Sequence, residues 1–381
     1  MKNVLLVDTN LSSMPIYKYL CQEGFNVYVI GGNPEDSLAK CVKNYINANY
    51  SNIDEVLSII NSYNIDYIIP GCNDLSYAIC ATISDKGFWV GTDSLSVTNN
   101  INNKDLFRKT ASLLNIPSPM MIEKNDVKDN LPVIVKPIDA YSGRGVTVVE
   151  QYEDLEKAIE QANYFSKTNS SIIEQYVTGQ LYSHSAFVEN GSVIVDFIVE
   201  EHCTANQFTV DTSRVIYDFP QKTLLEIRDS IHKLCKHFKL VDGLVHTQFI
   251  KKDDNLWFIE VTRRSPGDLY SQLIELSTGI NYAAMYCMPF IGKKLPSNIS
   301  PVMNELIIRH TISQPIETNL EYIKFNTGLF IEEFVPMVKS GDLIKASPFS
   351  RVALIFIRSM SKIHHDNIYS MILRRCLYKI K

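Results

Sequence analysis

The run Val133-Ile134-Val135-Lys136-Pro137 ends on a lysine, directly ahead of the loop Asp139-Ala140-Tyr141-Ser142-Gly143-Arg144-Gly145. That order suits a polyphosphate. Lys136 offers a point charge, and Gly143 and Gly145 let backbone N–H groups approach phosphate oxygens closely. The loop is not a Walker loop, because G-x-x-x-x-G-K-[ST] is missing and β-branched Val146-Thr147-Val148-Val149 follow in place of a helix. An ordinary glycine hairpin beside a solvated lysine fits the same residues. A second element, Ile172-Ile173-Glu174-Gln175-Tyr176-Val177, leads into Gly179-Gln180. A strand beside a gap presents backbone C=O and N–H groups to an adenine edge, and Glu174 at its end can accept from an amino group or ribose hydroxyls. A half-exposed strand with a solvated carboxylate is the plainer alternative.

The third element is the most specific. Val245-His246-Thr247-Gln248-Phe249-Ile250 and Leu256-Trp257-Phe258-Ile259-Glu260-Val261-Thr262-Arg263-Arg264 flank the polar turn Asp253-Asp254-Asn255. Alternation puts His246 with Gln248, and Glu260 with Thr262, on one face of a hairpin. With a three-residue loop and Asn255 in the left-handed conformation, Lys252 pairs with Leu256 and Gln248 falls opposite Glu260. Trp257, Ile259 and Val261 then point into the core. Two hard oxygen ligands on one surface suit magnesium, which keeps waters and phosphate oxygens in its shell. A salt bridge of Glu260 with Arg263 or Arg264 is the alternative, and His246, a lone histidine in a strand, fits packing as well as ligand orientation.

These residues need a scaffold. Val4 to Val7, a helix over Met14 to Glu23, the stop at Gly24 and Val27 to Ile30 form a βαβ start. Helices around Ile53 to Ser62 and Leu75 to Asp85 alternate with strands at Tyr67 to Pro70 and Trp89-Val90, which implies a doubly wound parallel sheet. Ligands of such sheets lie at the carboxyl ends of strands, which nominates Asp8 to Asn10 and Gly71 to Asp74, although helix caps and turns explain them equally. The Asp8 loop lacks G-x-G-x-x-G, so dinucleotide binding has little support. From Leu131 a mixed domain begins, with helices over Tyr152 to Phe165 and Thr223 to Phe238, and Leu295 to Pro301 reads as a linker.

Composition narrows the classes. The 381 residues carry 37 Lys and Arg against 42 Asp and Glu, a net charge of −5, which gives no nucleic-acid footprint. No secretory signal and no run long enough to span a bilayer is present, so a cytoplasmic protein without a transmembrane segment is expected. The eight cysteines form no C-x-x-C pair and read as reduced, mostly buried thiols. The basic end, Arg351, Arg358, Lys362, Arg374, Arg375, Lys379 and Lys381, fits a solvated helix face, or a phosphate-rich or membrane-surface contact.

With the three elements in this order, residues 1 to 300 resemble the ATP-grasp superfamily, particularly its carboxylate–amine ligases and relatives in purine synthesis. The resemblance implies an α/β and α+β protein. A pre-ATP-grasp domain would span 1–100, a small lobe with the phosphate lid 101–185, a large lobe with the metal site 186–300 and a C-terminal subdomain 301–381. Asn103-Lys104-Asp105 followed by Asn115-Ile116-Pro117-Ser118-Pro119 is similar to the family's domain junction. By that resemblance Lys104 and Lys136 hold the α- and β-phosphates of ATP, and Ser142, Gly143, Arg144 and Gly145 form the lid. Glu174, Gln175, Tyr176 and Val177 form the adenine hinge, and Gln180 lies near the ribose. Glu260-Val261-Thr262-Arg263-Arg264-Ser265-Pro266-Gly267-Asp268 is similar to E-[IV]-N-x-R-x-G-G, which makes Gln248, Glu260 and Thr262 ligands for Mg2+, with Mn2+ admissible. Arg264, with Arg263 and Lys136, would serve catalysis at the γ-phosphate or acyl phosphate. Three positions depart from the family. Gln248 stands where Glu is usual, Thr262 where Asn is, and Gln180 where an acid is.

The activity implied is ATP-dependent amide formation through an acyl phosphate, from small-molecule carboxylate and amine substrates, with a homodimer allowed. Joining an amino acid to another amino acid or to a sugar acid is one version of that reading. A phosphotransferase or carboxylating enzyme on the same scaffold, and a nucleotide sensor without turnover, are the competing ones.

Overall fold

The computed structural model describes residues 1–88, 91–140, 143–296 and 299–381. The expected strand Trp89-Val90, the lid residue Ser142 and part of the expected linker lie outside the described residues. Strands β1 (Asn3–Val7), β2 (Asn26–Gly31), β3 (Asn44–Asn47) and β4 (Tyr67–Pro70) form a parallel sheet in the order β3-β2-β1-β4. Val4 to Val7 are fully buried, as a strand covered by helices on both faces requires. Helices Met14–Gln22, Ile53–Ser62 and Asp74–Asp85 supply that cover, the last two capped by Asn52 and Asn73 side chains. β3 was not anticipated, because its sequence Asn-Tyr-Ile-Asn is short and polar. Order reverses between β1 and β4, so the Asp8 and Gly71 loops lie together at the switch point. Asp8 ties them, accepting from Ser13 Oγ at 2.7 Å and from the Cys72 amide at 3.1 Å. Burial raises its pKa against these bonds.

The small lobe is the antiparallel sheet of β5 (Val133–Pro137), β6 (Thr147–Val149) and β7 (Ser171–Gln175), in the order β6-β5-β7, backed by helix Leu155–Phe165. Val133, Val135, Val149, Leu155, Ala158 and Ala162 close its core. Helix Lys104–Leu113 leads into this lobe from the N-terminal domain.

The large sheet begins with β8 (Gln180–Glu189), β9 (Ser192–His202) and β10 (Thr212–Ile216), then β11 (Gly243–Lys252) and β12 (Asn255–Thr262). The chain continues through β13 (Leu306–Ile312), β14 (Thr318–Asn319), β15 (Ile323–Phe325), β16 (Phe330–Pro336), β17 (Leu343–Ile344), β18 (Ala353–Ser359) and β19 (Tyr378–Ile380). Eight of these strands pair in the order β12-β11-β8-β9-β10-β13-β18-β16. The C-terminal stretch therefore extends the large sheet while packing a core of its own around Ile308, Ile355, Ile357 and Tyr369. Helix Gln221–Phe238 lays Ile227, Ile231 and Leu234 on the sheet, a spacing of four and three residues that keeps them on one face. Among the described residues no helix is long and apolar enough to cross a membrane.

Candidate active site

The hairpin reaches the expected pairing by a different route. The turn has two residues rather than three, Asp253 takes the left-handed conformation at φ 52°, and Lys252 pairs with Asn255. That register alone would set Glu260 out of line with Gln248. A β-bulge at Ile259 inserts one residue between the Phe249–Phe258 and Gln248–Glu260 pairs and restores the alignment. The bulge also changes which side chains are inside. Leu256, Phe258 and Val261 are buried in the core, whereas Trp257 and Ile259 are only half-buried. The expectation that Trp257 and Ile259 fill the core is thus corrected, because a uniform period of two cannot run through a bulge.

Gln248 donates its amide to Glu201 Oε2 at 2.8 Å, which leaves its carbonyl oxygen as the acceptor end of the side chain. Glu201 is 4% exposed, and burial raises its pKa. Thr262 Oγ1 lies 3.3 Å from Asp74 Oδ1, a carboxylate from the N-terminal domain. His246 is buried, bonded to Ser185 Oγ at 2.8 Å and edge-on to Tyr270; burial holds its pKa well below the ordinary value. It is a neutral packing residue.

Arg263 and Arg264 separate. Arg264 bonds Asp74 at 2.9 Å through Nε and is close enough to Glu260 for that carboxylate to favour its charged form. Arg263 points the other way and is 4% exposed, pairing with Asp93 at 2.7 Å and donating to the carbonyls of Leu244 and Val241. A catalytic role for Arg263 is corrected on this ground: each of its three nitrogens is bonded within the protein, and alternation turns it from the face that holds Glu260.

Lys136 is 9% exposed and pairs with Glu174 Oε2 at 2.7 Å. Glu174 is wholly buried, with its other oxygen 2.7 Å from Arg108 Nε. Burial pushes its pKa up, but Lys136 and Arg108 outweigh burial and hold it below the usual range. A carboxylate enclosed by two cations is not a ligand for adenine or ribose, which corrects the expectation for Glu174. It positions Lys136. Arg108 was missed; its one sequence signal is that it follows Lys104 by four residues on the same helix.

Lys104 Nζ donates to Ala140 O at 2.9 Å, tying the helix to the lid. Burial lowers its pKa, against the pull of Glu260, Asp74 and Glu174. Gly143 has φ 69°, and a Cβ there would lie 2.6 Å from both Cβ and O of Phe208, so no other residue fits this seat. Arg144 lies over the Phe349 ring, 5.9 Å from its centroid. In the hinge, the Gln175 amide bonds Met120 O at 2.9 Å, Tyr176 is half-buried and Val177 is 9% exposed. The chain then passes so close to β11 that a Cβ on Gly179 would lie 2.5 Å from Lys251 O. Gln180 gives its amide to the carbonyls of Leu181 and Glu201, leaving an acceptor for a hydroxyl.

No group of three or more His, Cys, Asp or Glu able to hold a metal occurs among the described residues. The donors present are oxygens, one carboxylate and one amide carbonyl, and cations surround them. That set fits magnesium entering with a nucleotide, whose phosphates complete the shell, rather than a tightly held resident ion. Gln248→Glu is expected to lower the thermal midpoint in magnesium-free buffer, since two carboxylates would then share one buried contact. Adding Mg-ATP should restore it. Gln248→Leu should weaken magnesium dependence without such rescue, and a Gln248→Glu protein indifferent to magnesium would remove Gln248 from the metal set.

The architecture is thus an α/β domain, a small antiparallel lobe with a lysine and a glycine loop, and a large sheet whose edge hairpin carries Glu260. Residues 129–272 match the ATP-grasp domain. A curated relative, the carbamoyl phosphate synthase large chain, C-terminal section, of Methanopyrus kandleri, is 24% identical over 295 residues, 72% of this chain and 53% of the relative. The chain thus spans about half the length of that relative. The crystal structure of L-amino acid ligase from Bacillus licheniformis is similar over 100% of this chain and 98% of that one, with a TM-score of 0.81 and 16% identity. The biotin carboxylase domain of 2-oxoglutarate carboxylase from Hydrogenobacter thermophilus, a dimer with MgADP and bicarbonate, is similar over 100% and 90%, with a TM-score of 0.77 and 16% identity.

Proposed function

We propose that the protein is an ATP-dependent carboxylate–amine ligase. The observation that carries this reading is the convergence of Lys104, Lys136 and Arg264 on the surface that holds Glu260 and Gln248, because phosphoryl transfer to a carboxylate needs positioning and charge neutralisation more than covalent help. Lys104 and Lys136 bind the phosphates of ATP. Tyr176, Val177 and the hinge backbone take the adenine, and Gln180 accepts from the ribose. A carboxylate oxygen of the first substrate attacks the γ-phosphorus and the bond to the bridging oxygen breaks, releasing ADP. Arg264 neutralises the transferred group. The amine then attacks the carbonyl carbon of the acyl phosphate, phosphate leaves, and the nitrogen gives up a proton to yield the amide. Magnesium, or manganese in its stead, held by Gln248 and Glu260 beside Thr262, supplies charge neutralisation at the phosphates. The lid around Gly143 and Gly145 keeps water from the acyl phosphate.

The substrates proposed are an amino acid with either a second amino acid or a sugar acid, and the place of action is the cytoplasm. A homodimer is compatible with this reading. The likeness to a 2-oxoglutarate carboxylase domain supports a second reading, in which the acyl phosphate is carboxyphosphate and no amide forms. ADP release is to be measured against panels of amino acids, sugar acids and bicarbonate, followed by mass spectrometry of the products. The ligase reading expects ADP in step with a product of one dehydration. ADP released only with bicarbonate favours the second reading, and no ADP with any panel favours a nucleotide sensor.

A further inference from the structure

We infer that Arg108 is a positioning residue that sets the phosphate lysine and the metal carboxylate together, an assignment that rests on the reading of Lys136 and Glu260 given above. Its guanidinium is 2% exposed and forked between two lobes. Nε lies 2.7 Å from Glu174 Oε1, and Glu174 Oε2 lies 2.7 Å from Lys136 Nζ. Nη2 donates to the carbonyl of Ile259 at 2.8 Å. Ile259 is the bulge residue, the one whose insertion turns Glu260 to face Gln248. One side chain therefore sets the position of Lys136 through Glu174, and holds open the irregularity on which the orientation of Glu260 depends. The helix that carries Arg108 also presents Lys104, one turn earlier on the same face, to the lid at Ala140. Nucleotide contacts from the small lobe and metal contacts from the large lobe thus share one rigid origin.

A planar fork can serve both partners at once, whereas an ammonium is a single point of charge and an amide has no charge. This separates two variants. Arg108→Lys keeps a cation beside Glu174 but gives up the donor to Ile259 O. Its magnesium midpoint for ATP binding should rise about tenfold, while ATP affinity at saturating magnesium stays within about threefold. Arg108→Gln ends where Nε lies, beside Glu174, and removes both the charge and the donor to Ile259 O, so Glu174 draws on Lys136 alone. ATP affinity at saturating magnesium should fall about tenfold in this variant alone, with the magnesium midpoint raised as in Arg108→Lys. Calorimetric titration of the full-length protein with ATP across a magnesium series reads both quantities without turnover. Wild-type protein that binds ATP independently of magnesium would overturn the site reading itself. If wild type shows the dependence, equal losses in both readouts for both variants, no loss in either, or failure of both variants to fold would show a merely structural ion pair and overturn the role of Arg108.

Discussion

Glu260→Gln is expected to cut magnesium-dependent ADP release by about a hundredfold or more, since a lost metal ligand removes several kcal/mol of charge stabilisation at the transferring phosphoryl group. The fold should survive. Leu256, Phe258 and Val261 hold the hairpin in the core, and glutamine has the shape of the residue it replaces. Its amide still offers one neutral oxygen, so excess magnesium should rescue turnover only in part. A second consequence follows from Lys104, whose ammonium is disfavoured by burial and favoured by the carboxylate of Glu260. Without that carboxylate the pKa of Lys104 falls further, and the lysine loses its proton at a lower pH. ATP binding by the variant should therefore weaken at lower pH, on raising pH, than binding by wild type. Full activity at ordinary magnesium, with an unaltered pH profile, would move the metal site to other residues.

Lys136→Ala should lower ATP affinity and turnover by about tenfold or more, the size of a lost charge-assisted hydrogen bond to phosphate. The structure adds a stability effect. Glu174 is wholly buried and loses one of its two cations, leaving Arg108 as its partner. Breaking a buried ion pair typically costs about 3–5 kcal/mol, and the remaining guanidinium should reduce that to roughly 2 kcal/mol. The two effects separate in the double variant Lys136→Ala with Glu174→Gln. Neutralising the carboxylate strips the buried Arg108 guanidinium of its partner, so the double variant should be less stable than the single one and recover none of the nucleotide affinity. A double variant that regained ATP binding, or a single variant with unchanged ADP release, would take Lys136 out of the phosphate site.

Periodicity and punctuation made the local elements legible. The strand Tyr67–Pro70 and the helix Ile53–Ser62 have the bounds expected of them, because apolar spacing and flanking Asn and Gly residues mark their ends. Helix Gln221–Phe238 begins two residues earlier than expected, after Pro220. The residues proposed for the site were nominated on the same kind of signal: Lys136, Gly143, Gln248, Glu260 and Arg264 stand in short motifs whose order is itself the signal. Gln248 opposite Glu260 was anticipated on a three-residue turn, and a two-residue turn with a bulge brings about the same pairing.

What the motifs could not reveal depends on partners distant in sequence. Arg263 and Arg264 are adjacent and alike in charge, and only the fold assigns one to buried Asp93 and the other to Asp74 beside Glu260. Glu174 resembles a ligand-binding acid until Arg108, 66 positions earlier, closes on its second oxygen. The bulge at Ile259 has no marker such as glycine in the sequence, and the buried Arg108 guanidinium bonded to its carbonyl belongs to another lobe. The sequence by itself determined most of the elements that form, since these follow from side-chain period and backbone propensity. The tertiary structure decided which charges remain available for a ligand and which are neutralised internally, because burial and pairing across the chain set the cost of each charge.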